Sequence, residues 1–155
     1  MNKKTIDKLQ SEMDELQFTH FTSSDALTIG QLLIKNCPKD SGITIDITKN
    51  RQQIFHYSFD NTSPDNDEWV RRKTNLVYRV FKSSYLIGQE LKMNGSTIEE
   101  SYLISESEFA PHGGCFPIII KNVGVIGTVT VSGLAQEDDH QLVVDTLREY
   151  LEATR

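Results

Sequence analysis

The sequence predicts an α+β fold, and three observations carry that prediction. Two stretches rich in β-branched residues each read as a hairpin, Ile43–Phe59 and Phe116–Val131. Amphipathic helical spacing fills the chain before, between and after them. The resulting order of helices, hairpin, helices, hairpin and helix implies antiparallel pairing rather than a doubly wound parallel sheet. At 155 residues the chain, 1–155, fits a single domain that buries roughly two thirds of its unfolded surface. Internal repeats and low-complexity segments are absent.

From Lys3 to Gln17 the apolar residues Ile6, Leu9, Met13 and Leu16 recur at spacings of three and four, which predicts a helix of about four turns. Phe18 and Phe21 flank a short break. Ser23, Ser24 and Asp25 then offer capping oxygens to a second helix carrying Leu27, Ile29, Leu32, Leu33 and Ile34, which Cys37-Pro38 stops. Ile43, Ile45 and Ile47 alternate with Thr44, Asp46 and Thr48, the pattern of a half-buried strand, and Lys49-Asn50-Arg51 turns it into a second strand over Gln52–Phe59. Pro64 suits the first turn of a long third helix, where its missing N–H costs nothing. Trp69, Val70, Leu76, Val77, Val80 and Phe81 form its apolar side, while Arg71, Arg72, Lys73, Arg79 and Lys82 gather positive charge. Ser83-Ser84 caps a fourth helix, Tyr85–Met93, and Asn94-Gly95 ends it in the manner of a left-handed cap. Between Ser96 and Pro111 the signals conflict, a short helix near Thr97–Glu100 and a loop over Ser105–Phe109. After the second hairpin a final helix opens at Gln136–Asp139, its inward side formed by Leu142, Val143, Leu147 and Leu151 and its positive end met by Asp138 and Asp139.

Charge and cysteine usage exclude several function classes. A net charge of -6 and a sequence pI near 5.2 argue against a nucleic-acid partner, which needs a basic stripe, and against an anionic membrane surface. No apolar run approaches a membrane span, and the N-terminal stretch lacks the apolar core of a signal peptide. Cys37 and Cys115 form no CxxC pair, so neither a disulfide framework nor a thiolate zinc site is expected. These features together predict a soluble protein of the reducing cytoplasm.

The strongest candidate for a site is His112–Gln141, where glycines, β-branched runs and histidines concentrate. Gly113 and Gly114 permit left-handed or close-approach backbone beside His112, and Gly127 inside a strand signals a bulge or a near neighbouring backbone. The string from Gly124 to Gly133 lies within and after a strand, so it is neither a dinucleotide fingerprint nor a phosphate loop.

Several strings resemble the GlcG/HbpS-like family, labelled haem-degrading or haem-binding, in its small bacterial and fungal branch. They are Ala110-Pro111-His112-Gly113-Gly114-Cys115-Phe116-Pro117-Ile118, then Gly124-Val125-Ile126-Gly127, Val131-Ser132-Gly133-Leu134, and Asp139-His140 with Leu142-Val143-Val144. A second match, Asn66-Asp67-Glu68-Trp69-Val70-Arg71-Arg72-Lys73 followed by Ser83-Ser84, is similar to that branch's tryptophan-arginine-lysine segment. The resemblance runs nearly end to end. It implies an antiparallel sheet of about five strands flanked by helices, related to profilin-like folds, and a homo-oligomer of at least two copies. Some relatives bind haem, but no single haem ligand transfers to a position here.

Individual residues then divide between functional and structural roles. His112 has the chemistry of an axial ligand, a general base or an anion contact, or simply hydrogen-bonds a loop backbone. His140 reads either as a ligand contact or as a local cap beside two aspartates. Cys115 near His112 suggests a nucleophile and base, although a buried small hydrophobe is the more economical reading. Glu137-Asp138-Asp139-His140 offers metal-ligand chemistry, yet consecutive helical residues diverge, so a solvated helix start is expected. Arg71, Arg72 and Lys73 suit tetrapyrrole propionates or other carboxylates, with a solvated or ion-paired face as the alternative, and Trp69 supplies an aromatic wall or a packing anchor. The expected ligand contacts are therefore His112, Gly113, Gly114, Trp69, Arg71, Lys73 and His140, with no metal site and no catalytic residue assigned. The preferred function is an oligomeric binding domain for haem, another tetrapyrrole or a different anionic small molecule. Two alternatives stand beside it: a haem-degrading or cofactor-free acid–base enzyme using His112, assisted by His140 or Cys115, and a structural or adaptor oligomer with no small-molecule site.

Overall fold

The computed structural model describes residues 3–154, so residues 1, 2 and 155 of the expected domain lie outside the described residues. In chain order the elements are α1 (Lys3–Glu15), β1 (Gln17–Phe18), α2 (Ser23–Asn36), β2 (Thr44–Lys49), β3 (Gln52–Ser58), α3 (Pro64–Val80), α4 (Ser84–Met93), α5 (Ile98–Tyr102), β4 (Cys115–Ile120), β5 (Gly124–Ser132) and α6 (Gln136–Thr154). Both predicted hairpins form, β2 with β3 and β4 with β5, and β5 joins them by pairing antiparallel with β2. The five strands lie in the order β1-β4-β5-β2-β3. Helix α1 ends before Gln17 because Gln17 and Phe18 become an edge strand, parallel to β4 opposite Ile119 and Ile120.

The caps explain where the helices begin. Thr22, rather than the serines after it, caps α2: its hydroxyl accepts the Asp25 N–H while the Asp25 carboxylate accepts the Thr22 N–H at 2.7 Å. Ser63 caps α3 with Pro64 in the first turn, Ser83 caps α4, and Gly95 at φ 60° follows the end of α4 as expected. The ambiguous segment contains α5, capped by Thr97.

The sheet has two unlike faces, both covered. Ile45, Ile47, Phe116, Ile118, Val129 and Val131 pack into one core with Leu9, Ile29, Leu33, Val143 and Leu147 from α1, α2 and α6. Alternation puts Thr44, Asp46, Thr48, Thr128 and Thr130 on the other face, which α3 covers, and all five are buried. Strand β2 is therefore not half-buried as its alternation suggested. Its polar face tolerates burial because the hydroxyls pair: Thr48 with Thr128 at 2.7 Å, Thr48 with Tyr78 at 2.5 Å, and Thr130 with Thr74 of α3 at 3.2 Å. Gly127 fills both of its expected roles: the β4–β5 register shifts beside it, and a Cβ there would stand 2.2 Å from the Thr48 carbonyl oxygen. In α6, Val143, Leu147 and Leu151 point inward as predicted, joined by Val144, while Leu142 is only partly buried.

Candidate functional site

A cleft of about 340 Å³ opens where the first turns of α3, the loop at 111–114 and the β5–α6 junction meet. Trp69 and Lys73 stand one turn apart on α3, so both reach the same side of the helix. Asn66 ties the start of that helix to the end of β5 by donating to the Ser132 carbonyl at 3.3 Å. Across the cleft, the Gln136 side-chain oxygen accepts the Gly113 N–H at 3.0 Å, fixing the loop against α6.

The cleft contains a buried ion pair. Lys73 Nζ donates to Asp139 Oδ2 at 3.3 Å and to the Val131 carbonyl at 3.2 Å, with the two side chains 4% and 2% exposed. Asp139 also accepts the Leu134 N–H at 2.9 Å and the Gly133 N–H at 3.3 Å. Burial dominates both groups. It lowers the Lys73 ammonium below the ordinary lysine range although Asp139 pulls the other way, and it pushes the Asp139 carboxyl up to about 6 against Lys73 and the two N–H donors. Asp139 and His140 are both buried while Glu137 and Asp138 are exposed, so the expected solvated helix start holds for the first pair and is corrected for the second.

At the rim, the Trp69 and His112 rings meet edge to face with centroids 5.6 Å apart, and the Arg72 guanidinium stacks over Trp69 at 4.5 Å. His112 Nε2 lies 3.0 Å from the Glu106 carboxylate, and Arg72 donates to the Glu106 carbonyl at 2.9 and 2.6 Å. The cleft thus unites His112, Trp69 and Lys73 of the expected contacts. Gly113 and Gly114 shape it from behind. A Cβ on either would stand 2.2 Å from a carbonyl oxygen, that of Gln136 or Val131, so the backbone that approaches these glycines is the chain's own. Arg71 lies outside this cleft, paired with Glu68 at 3.0 Å and Glu108 at 2.9 Å, and those carboxylates raise its guanidinium above the ordinary range.

His140 also lies outside it. Its Nε2 meets the Glu12 carboxylate of α1 at 2.8 Å in the interior, its ring lies 4.9 Å from that of Tyr85, and its Nδ1 has no hydrogen-bond partner among the described residues. The bond is a long-range tie between helices rather than a local cap. Cys115 is fully buried and burial pushes its thiol up to about 12, the environment of an inert packing residue.

Sequence reasoning passed over Glu12, although it sits three residues after Leu9 and four before Leu16, on the apolar stripe of α1. It also passed over a second cleft of about 420 Å³ between β2, β3 and α3, where Asp46 accepts from Gln53 and lies 2.8 Å from His56 Nδ1. No group of three or more His, Cys, Asp or Glu among the described residues is placed to hold a metal ion.

Comparison with known proteins sets these features in a family. A UPF0303 protein of Streptomyces coelicolor is 40% identical over 148 residues, covering 95% of this chain and 94% of its own. The crystal structure of the Ybr137w protein superposes with a TM-score of 0.89 at 26% identity, over 99% of this chain and 92% of that one. A PduOC–haem complex shares the fold at a TM-score of 0.67 and 13% identity, over 84% of this chain and 94% of that one. The family model described as haem degrading protein HbpS-like matches residues 21–148, and the chain belongs to that HbpS-like family.

Proposed function

We propose that this protein is a self-associating binding domain whose small-molecule ligand seats in the cleft between α3, the 111–114 loop and α6. The observation that carries the reading is the Trp69–His112 pair at the rim, with Arg72 stacked on the indole and the Lys73–Asp139 pair within. An aromatic wall flanked by an imidazole and a guanidinium suits a planar, anionic molecule. Haem is the first such molecule to test, since one structure sharing the fold is a haem complex. The residues present fit one edge of a tetrapyrrole, with Trp69 against the ring, Arg72 near a propionate and His112 as the available imidazole. Haem bound there would supply an iron able to accept an imidazole nitrogen and to carry redox chemistry. A cleft of about 340 Å³ is at the low end for small-molecule sites, so a macrocycle seats by its edge and a second copy covers the remainder.

An absorbance titration with haemin tests the reading. Saturable binding is expected in the native protein, with His112→Ala weakening it by roughly 1–3 kcal/mol, the usual consequence of leaving a polar partner unmatched. A signal that never saturates, or equal affinity in native protein and in both His112→Ala and Trp69→Leu, removes haem from this cleft. Conversion of the bound molecule by native protein and not by His112→Ala moves the assignment to an acid–base enzyme.

A further inference from the structure

We propose that the cleft captures small aldehydes covalently, with Lys73 as the nucleophile and Asp139 as its proton carrier. This rests on the cleft being a ligand site. Among the described residues, which include all ten lysines, Lys73 is the only buried one, and it lines a cleft rather than closed core. Its Nζ has two acceptors, the Val131 carbonyl and Asp139 Oδ2. A neutral amine has two N–H groups, so these bonds occupy both and leave the lone pair uncommitted. Gly114 provides the room, because a Cβ there would stand 2.7 Å from Nζ. Asp139 is held in turn by two backbone N–H groups, so its carboxyl is fixed beside the amine. Burial favours the uncharged form of both partners, which supports a nucleophilic amine beside a protonated acid. Trp69, one turn away, gives an aromatic aldehyde a wall to lie against.

The step balances. The ammonium passes one proton to Asp139, and the amine nitrogen attacks the carbonyl carbon to form a carbinolamine, a second proton moving from nitrogen to the former carbonyl oxygen. Asp139 then returns its proton to that hydroxyl, which leaves as water while the nitrogen lone pair closes the C=N bond. One ammonium and one aldehyde become one protonated imine and one water, and the Asp139 carboxylate faces the new cation.

The test uses 4-carboxybenzaldehyde, a planar anion with a carbonyl, with cyanoborohydride to reduce the imine to a stable secondary amine. Peptide mass mapping of the full-length protein locates the label. Lys73 is expected to react at least about tenfold faster than any of the nine other lysines. Asp139→Asn should slow Lys73 about tenfold while leaving surface labelling unchanged. Mapping on the native chain needs no variant to fold, and labelling of Lys73 no faster than the surface lysines overturns the inference. The alcohol 4-carboxybenzyl alcohol, measured by calorimetry, separates the two readings. If it binds, and Trp69→Leu weakens it, while Lys73 stays unlabelled, the binding site stands and the covalent step falls. If neither compound engages the cleft and haemin also fails, the binding site falls with it.

Discussion

Gly114 is held at φ 136° with the Val131 carbonyl against its Cα hydrogens, and Gly113 faces the Gln136 carbonyl in the same way. A side chain at either position forces backbone apart, so Gly113→Val and Gly114→Val should each lose on the order of a few kcal/mol in thermal or denaturant unfolding. Unchanged melting in both would mean that the loop yields without strain. Asp139 makes a second prediction, in pH. Its folded carboxyl, raised by burial from 3.8 to about 6, holds a proton more tightly than the unfolded chain does. Its contribution is therefore fully present below the unfolded value and is lost as pH rises from about 4 to about 6. Lys73, lowered from 10.5 chiefly by burial, acts in the opposite sense: stability rises with pH from its lowered folded value and levels off near 10.5, where the unfolded lysine also loses its proton. Denaturation of native protein and Asp139→Asn across pH 4–7 should show the native chain losing ground to the variant through that window. A constant difference would mean that Asp139 titrates alike in both states. At this scale the sequence was legible where backbone chemistry decides. Paired glycines announced a close approach, but not that the approaching group belonged to the chain. Asp139 looked like one of three solvated acids because its buried partner, Lys73, is 66 positions away.

Between elements, the tie that sequence reading missed is the Glu12–His140 contact, which fastens α1 to α6 inside the apolar core. His140 already has one ring nitrogen without a partner among the described residues, so removing Glu12 leaves both unmatched there. Glu12→Ala should destabilise by about 1–3 kcal/mol, with Glu12→Gln recovering part of the loss by keeping an acceptor in place. Equal stability of native protein and both variants in urea would show that α1 is held by apolar contact alone. Helices and hairpins were legible because each carries its own period and its own caps: Ser63 with Pro64, Ser83, and Gly95 past the end of α4. β1 was not, since two residues carry no period and Gln17-Phe18 becomes a strand only through pairing with β4, about a hundred positions later. The burial of β2 on both faces escaped for a related reason. Threonine alternation looks the same whether water or α3 covers it, and only the tertiary fold supplies Tyr78 and Thr74 as hydroxyl partners.

For the whole molecule, the helices' apolar faces largely find partners within the chain: α1, α2 and α6 share one core, and α3, α4 and α5 build another around Leu76, Ile87, Leu91 and Ile98. Among the described residues, the β3 edge of the sheet is left open. β3 is the last strand, paired only with β2, and its sequence QQIFHYS contains no lysine, acid or proline of the kind that keeps exposed edges apart. A bulge opposite Ile47/Thr48 twists it, and His56 is drawn to Asp46 and Asp67, but Tyr57 remains 44% exposed beside Phe59. Pairing of β3 with β3 of a second copy would satisfy the free backbone groups and cover Tyr57 by a two-fold contact, the commonest symmetry of soluble oligomers. The protein should therefore sediment as at least a dimer at micromolar concentration, and Tyr57→Lys should shift dissociation to concentrations about tenfold higher or more by placing like charges across the pair. Association that Tyr57→Lys leaves untouched would relocate the contact to another surface, such as that bearing Leu103 or Val123, which are 86% and 74% exposed. A native chain that stays monomeric across the whole concentration range would remove the second copy, and with it the proposed cover for any ligand too large for one cleft.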